Sequence, residues 1–412
     1  MKQKHVLWTI GLLFTIVIAN GPASAQEPTR PAGNNSRYRM RDYGIKTGVM
    51  QPGPLNAITD VAGVKVGHVT LIEGDDIRTG VTAILPHEGN LFREKVPAGF
   101  WAGNGFGKIS GTTQIEELGN IETPVVLTNT LSVAAGMEGL ISYMLAQPGN
   151  EKIQSVNAVV GETNDGGLND IRGRHVTSDH VLQALEQAAT GPVEEGNVGA
   201  GTGTICFGFK GGIGTSSRVL PQGLGGYTVG VLAQTNFGGV LQIAGVNVGE
   251  RLAQYSYKNQ LEAQQAVAPE CLTNPDALPN TNDLSNVDTD GSCMIIIITD
   301  APLNERNLER LAKRGMMGLA RTGGIASNGS GDYVLALSVA PENLIRSTPR
   351  YTPSYLHNDN CSSLFMAAIE ATEEAILNSL FAAETMTGIG GRTVEALPAE
   401  KVASFFSTKG SK

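Results

Sequence analysis

At Gly291-Ser292-Cys293 a long polar stretch meets the apolar run Met294–Ile298, whose length and composition predict a buried strand. A serine at the head of such a strand, with glycine before it, suits a chain that cuts itself. Glycine puts no side chain near the scissile carbonyl, so the hydroxyl of Ser292 could attack it in a strained turn. An N-to-O acyl shift followed by hydrolysis would free a new N-terminus at Ser292. Its amine, with a reference pKa of about 7.7–8.0, could then act as base for its own hydroxyl. Read from residue types alone, an ordinary Gly-Ser turn entering a strand stays open as the alternative. Cys293 is the better intrinsic nucleophile, but adjacent strand residues point to opposite faces, so it should face the core if Ser292 faces a pocket.

The elements that must position this junction read as short β-branched runs between glycine turns: Val61–Gly67, Val81–Leu85, Val125–Thr128, Val156–Val160, Ile205–Phe209, Tyr227–Gln234 and Val240–Val248. Helical spacing predicts helices over Leu131–Ala146 and Ser178–Ala189, the second capped at Ser178-Asp179. Tyr257–Asp290 is dominated by Gln, Asn, Pro and Asp without an apolar period, which predicts a long exposed loop ahead of Ser292. After the Ile-rich strand come a helix over Pro302–Arg321, with Arg306, Arg310, Lys313 and Arg314 on its solvated face, a strand over Tyr333–Val339, and a long helix Ser362–Met386 closed by Gly388.

Composition narrows the function classes. Of 412 residues 52 are glycine, yet no Gly-X-Y period appears; hydrophobic residues at 41% and charged residues at 17% oppose disorder. A net charge of -9 with scattered Lys and Arg argues against nucleic acid as a partner. Lys2 and Lys4, the apolar run Val6–Ile18 and Ala23-Ser24-Ala25 read as a signal peptide over residues 1–25, with an apolar core too short for a span of about 20 residues. A periplasmic or secreted protein with no membrane attachment after leader removal follows. Residues 26–40 read as a linker and 41–412 as a single catalytic domain. Cys206, Cys271, Cys293 and Cys361 allow three disulfide pairings, without a CxxC; no histidine spacing suggests a metal, and no cofactor is expected. The glycines of residues 196–214 lack the GxxxxGK[ST] of a phosphate loop and read as tight turns and close backbone approaches.

Six strings then carry a resemblance: RDYGIKTGVMQPGPLNAITDVAGVKVGH (41–68), VGETNDGGLNDIRG (160–173), GNVGAGTGTICFGFKGGIGTSSR (196–218), VGVLAQTNFGG (229–239), DGSCMIIIITDAPL (290–303) and RLAKRGMMGLARTGGIASNGSGDYVLALS (310–338). Together they make the chain similar to the DmpA/BapA family of L-aminopeptidase/D-Ala esterases and β-aminopeptidases. The resemblance implies an α+β fold, a four-layer α-β-β-α sandwich like that of Ntn hydrolases but differently connected, and a homotetramer of αβ units. It implies self-cleavage between Gly291 and Ser292 into an α chain of residues 26–291 and a β chain of residues 292–412, with Ser292 as nucleophile toward substrate. Ser330 and Asp332 fall on the partners that orient the Ser292 hydroxyl and amine, and Asn236 on the oxyanion donor. Glu162 falls on the carboxylate that holds the substrate's free amine, and Asn164 on a variable pocket position.

These roles cohere physically, because an ammonium brought into a partly dry pocket needs a carboxylate, and acyl transfer needs a nucleophile, a proton acceptor and oxyanion donors. The implied substrates are small peptides or amino-acid amides with a free amine. Two departures, the long polar segment carrying Cys271 and the small polar Asn164, leave the choice among L-, D-Ala and β-amino acids open. Alternatives are an ω-amino-acid oligomer hydrolase or acyltransferase with the same processing, and an exported binding protein without turnover.

Overall fold

The computed structural model describes residues 38–266, 291–348 and 350–407. Nine main strands follow in chain order: β1 (Lys65–Glu73), β2 (Ile77–Leu85), β3 (Glu94–Gly105), β4 (Val125–Asn129), β5 (Val159–Thr163), β6 (Gly212–Val219), β7 (Thr228–Asn236), β8 (Ser292–Thr299) and β9 (Gly331–Ser338). Four main helices accompany them: α1 (Val133–Ala146), α2 (Ser178–Glu186), α3 (Glu305–Arg321) and α4 (Ser362–Phe381). One sheet runs β1-β2-β4-β5; the other runs β3-β9-β8-β7-β6, with short strands Asn120–Ile121 and Ile345–Arg346 added on β3.

Three apolar cores glue four layers together. Ile84, Leu127 and Val159 of the first sheet meet Leu232, Met294, Ile296 and Leu335 of the second. Val81, Val126 and Val160 face Leu140, Val181 and Leu185 of α1 and α2. On the far side Ile295, Ile297, Val231 and Val334 face Leu308, Leu311, Ala371 and Ala375 of α3 and α4. The architecture is therefore the expected α+β, α-β-β-α sandwich. It also explains the unbroken apolar run of β8: alternate residues enter two different cores, so every position from Cys293 to Ile298 is apolar or a thiol.

Residues 292–338 insert β8 and β9 into the middle of the second sheet, between β3 and β7 from the N-terminal part. A buried ion network adds a second tie. Arg218 on β6, fully buried, reaches Glu370 at 3.2 Å and Glu374 at 2.8 Å on α4. Arg41 also pairs with Glu374, and the Val49 and Met50 amides donate to Glu370 at 3.0 and 2.9 Å. Burial pushes the Glu374 carboxyl up, but the Arg41 hydrogen bond and the two arginine charges outweigh it and hold it below its ordinary value.

Several expected boundaries move. Residues 38–40 are already packed, with Met40 buried and Arg39 paired with Glu195 at 2.6 Å, so the linker cannot extend to residue 40. Strands β3 and β6 carry glycines at 99, 103, 105, 212 and 214 that disguise their period; neither was expected as a strand. Ile205–Phe209 and Val240–Val248 form only two-residue strands. The cap of α2 is Thr177, in a capping box with His180. Lys258–Ala266, expected as loop, is helical, while the rest of the polar segment, with Cys271, lies outside the described residues, as does the leader. Helix α4 ends at Phe381, short of Gly388. Arg310 and Arg314 of α3 stack on Phe365 rather than simply facing solvent. Cys206, Cys293 and Cys361 are free and buried. No described helix is long and apolar enough to cross a membrane.

Arg218→Ala would leave buried Glu370 without its arginine and Glu374 with Arg41 alone; breaking a buried pair in this way typically costs about 3–5 kcal/mol. A urea midpoint far below that of the parent chain is expected; an unchanged midpoint would show that the network adds nothing to stability.

Candidate active site

The register of three strands brings the site together. The last residue of β7, Asn236, pairs with the first of β8, Ser292, which in turn pairs with the first of β9, Gly331. Ser292 is 5% exposed and Asn236 6%. The Gly331 amide donates at 3.1 Å to the Gly291 carbonyl oxygen and lies 3.4 Å from Ser292 Oγ. One backbone N–H thus touches both the carbonyl of the Gly291–Ser292 bond and the hydroxyl that could attack it. A Cβ on Gly291 would fall 1.8 Å from the Asn236 carbonyl oxygen, so glycine is required there by the close approach of β7.

Pleating separates the neighbours as expected. Ser292 shares a face with Met294 and Ile296, toward the other sheet, whereas Cys293 lies in the core beneath α3 and α4 with Ile295 and Ile297. Burial pushes the Cys293 thiol well up, and the Asp332 charge adds to it, so the thiol stays protonated and inert.

Asp332 pairs with Cys293 in the ladder and so belongs to the pleat opposite Ser292. Its partner is Ser330, whose hydroxyl donates to Oδ1 at 2.8 Å. Burial raises the Asp332 carboxyl to about 6, against the pull of the Ser330 hydroxyl and of the Cys293 amide. Its Oδ2 is buried without a hydrogen-bond partner. Asp332 is therefore linked to Ser292 through Ser330 and the backbone, not by direct side-chain contact; its carboxyl is half ionised at a pH of about 6 and mostly ionised, as a proton acceptor must be, at neutral pH.

Asn236 is aimed from both ends of its amide. Oδ1 accepts from the Ile205 amide at 2.9 Å, and Nδ2 donates to the Asn164 carbonyl at 3.0 Å, which leaves one N–H for another acceptor. Asn164 thus serves the site through its backbone; its exposed side chain accepts from the Gly166 amide at 2.9 Å in an Asx turn. The next residue, Asp165, is buried and held by Asn169 at 3.0 Å, and burial raises its carboxyl to about 7.

Glu162 on β5 sits across the inter-sheet slot, 2% exposed. The Lys108 amide donates to Oε1 at 2.9 Å and the Thr130 hydroxyl to Oε2. Burial pushes its carboxyl up, against those two hydrogen bonds and the Lys108 charge. The loop carrying Lys108 fits because Gly107 and Gly331 face each other: a Cβ on either would come within about 3 Å of the other's Cα. Thr130, Lys108, Gly331 and Ile205 had no signal in the sequence, because three of these four contacts are made by backbone amides.

Comparison with known proteins places the chain in a family. The model of peptidase family S58 matches residues 56–394. The β-peptidyl aminopeptidase BapA of Sphingosinicella microcystinivorans is 42% identical over 405 residues, 94% of this chain and 95% of that protein. A β-aminopeptidase from a Burkholderia species superposes with TM-score 0.78 at 39% identity, over 91% of this chain and 100% of the other. The L-aminopeptidase D-Ala-esterase/amidase from Ochrobactrum anthropi, described as a prototype of the serine aminopeptidases with a variant Ntn hydrolase fold, superposes with TM-score 0.75 at 36% identity, over 88% and 96%. With likeness of this extent in both sequence and fold, the chain belongs to peptidase family S58 and is a serine aminopeptidase.

Proposed function

We propose that the chain cuts its own Gly291–Ser292 bond and then uses Ser292 as an N-terminal nucleophile to release amino-terminal residues from small peptides, amides or esters. The observation that carries this reading is the Gly331 amide, 3.1 Å from the Gly291 carbonyl oxygen and 3.4 Å from Ser292 Oγ. In the first step Ser292 Oγ bonds to the Gly291 carbonyl carbon, and negative charge gathers on an oxygen that already accepts from Gly331. The C–N bond breaks, the nitrogen takes the proton, and water hydrolyses the resulting ester, freeing the Gly291 carboxyl and the Ser292 hydroxyl and amine. Ser330, its own proton committed to Asp332, offers oxygen lone pairs as an acceptor beside this centre.

Toward substrate the same parts are reused. The free amine of Ser292 is the base, Ser292 Oγ forms the acyl-enzyme, and Asn236 with the Gly331 amide receives the oxyanion. Glu162 holds the substrate's ammonium at the far side of the slot. The names of the relatives favour β-amino acids at the amino terminus, with L-amino-acid amides and D-Ala derivatives as the second class. In this reading residues 1–25 are removed as a signal peptide, the enzyme works in the periplasm or outside the cell, and cut αβ units assemble as homotetramers.

Intact mass spectrometry of the purified protein should show two chains, one beginning at Ser292; a single uncut chain, or a cut elsewhere, would falsify the mechanism. Ser292→Ala should accumulate uncut and without amidase activity. In refolded precursor, where no Ser292 amine yet exists, the self-cleavage rate should fall as Asp332 is protonated below a pH of about 6. Asp332→Asn should process slowly and lose that acid limb; a limb of the same midpoint in this variant would exclude Asp332 as its source. Asn236→Ala should lower kcat about 10²- to 10³-fold, as for loss of one oxyanion donor, with KM little changed; a change confined to KM would contradict the assignment.

A further inference from the structure

Lys108 stands where a substrate's amine would have to go. Its Nζ lies 3.9 Å from Glu162 Oε1, and its side chain is 59% exposed while that of Glu162 is 2%. The backbone beneath it is fixed on both sides of the slot. The Phe106 amide donates to the Ser330 carbonyl at 3.2 Å, the Lys108 amide to Glu162 at 2.9 Å, and the Ser110 amide to the Val160 carbonyl at 2.9 Å. The loop therefore stays in place while the long, solvated stem of Lys108 is free to swing.

From this we infer that Lys108 is a specificity-determining residue, an internal ammonium that rests against Glu162 and must be displaced by the substrate's own. The inference rests on Glu162 as the amine holder. Two cations cannot share one buried carboxylate without repulsion, so part of the attraction Glu162 offers an incoming amine is spent on removing Lys108. The benefit to the empty enzyme is that a nearly buried carboxylate is never left without a counter-charge, a state that is strongly disfavoured. The cost falls on substrate binding, so Lys108 sets KM for amines rather than the rate of the acyl step.

The test is steady-state kinetics on a free-amine anilide substrate, with cut enzymes verified by intact mass. Lys108→Ala should lower KM about two- to fivefold, the range expected for losing one exposed ion pair. Lys108→Arg, which keeps the charge, should hold the parent KM. In a Glu162→Gln background, where KM is raised, Lys108→Ala should have no further effect. An unchanged or raised KM in Lys108→Ala, with Glu162→Gln still raising KM, overturns the Lys108 proposal and leaves Glu162 as amine holder. If Glu162→Gln leaves KM unchanged, the reading of Glu162 fails and the proposal falls with it.

Discussion

Everything at this site depends on the row Asn236, Ser292, Gly331 across three hydrogen-bonded strands. Slippage of β8 by one residue would turn Ser292 into the core and bring Cys293 to the slot, because side chains alternate along a strand. The register is held by the cores on both faces of the sheet: Met294, Ile296 and Ile298 pack toward the other sheet, and Cys293, Ile295 and Ile297 toward the helices. Burying six apolar or thiol positions in sequence is thus what places a hydroxyl beside an amide that also touches the Gly291 carbonyl. The nucleophile is positioned by packing, and the electrostatics follow from where packing leaves it.

The same arrangement reconciles a severed chain with a stable protein. Strands β8 and β9 lie between β3 and β7, so a break before Ser292 would leave the new N-terminus inside a continuous sheet. The ion network of Arg41, Arg218, Glu370 and Glu374 ties α4 to the N-terminal part of the chain at a second place. Glycine serves this design at few positions but sharply. Gly291 lets β7 pass over the scissile peptide, and the facing pair Gly107 and Gly331 lets the Lys108 loop close over Glu162.

Much of this was legible in the sequence, and the reasons differ by element. The Ile-rich strand and the helices over 133–146 and 305–321 announced themselves by apolar run or period, and the alternation rule correctly sent Cys293 to the core. Strands β3 and β6 did not, since their glycines and polar residues are accepted only because helices cover them. Among site residues, Asn236 and Ser292 are brought together by strand pairing, and Glu162 is bonded to the Lys108 loop that packs against Gly331. Asp332 meets the others only through Ser330 and the backbone, and Asn164 contributes a carbonyl where a side chain was expected. Side-chain motifs reveal side-chain chemistry; the amides of Gly331, Ile205 and Lys108 carry no residue signature and emerge only from the folded register.

In the proposed mechanism one hydroxyl serves both the chain's own Gly291–Ser292 bond and the substrate. Rapid-quench mass spectrometry with a slowly hydrolysed free-amine ester tests it most directly. An acyl adduct is expected on the fragment that begins at Ser292, located at that residue. An adduct on any other residue, or turnover by a chain that was never cut, would contradict it.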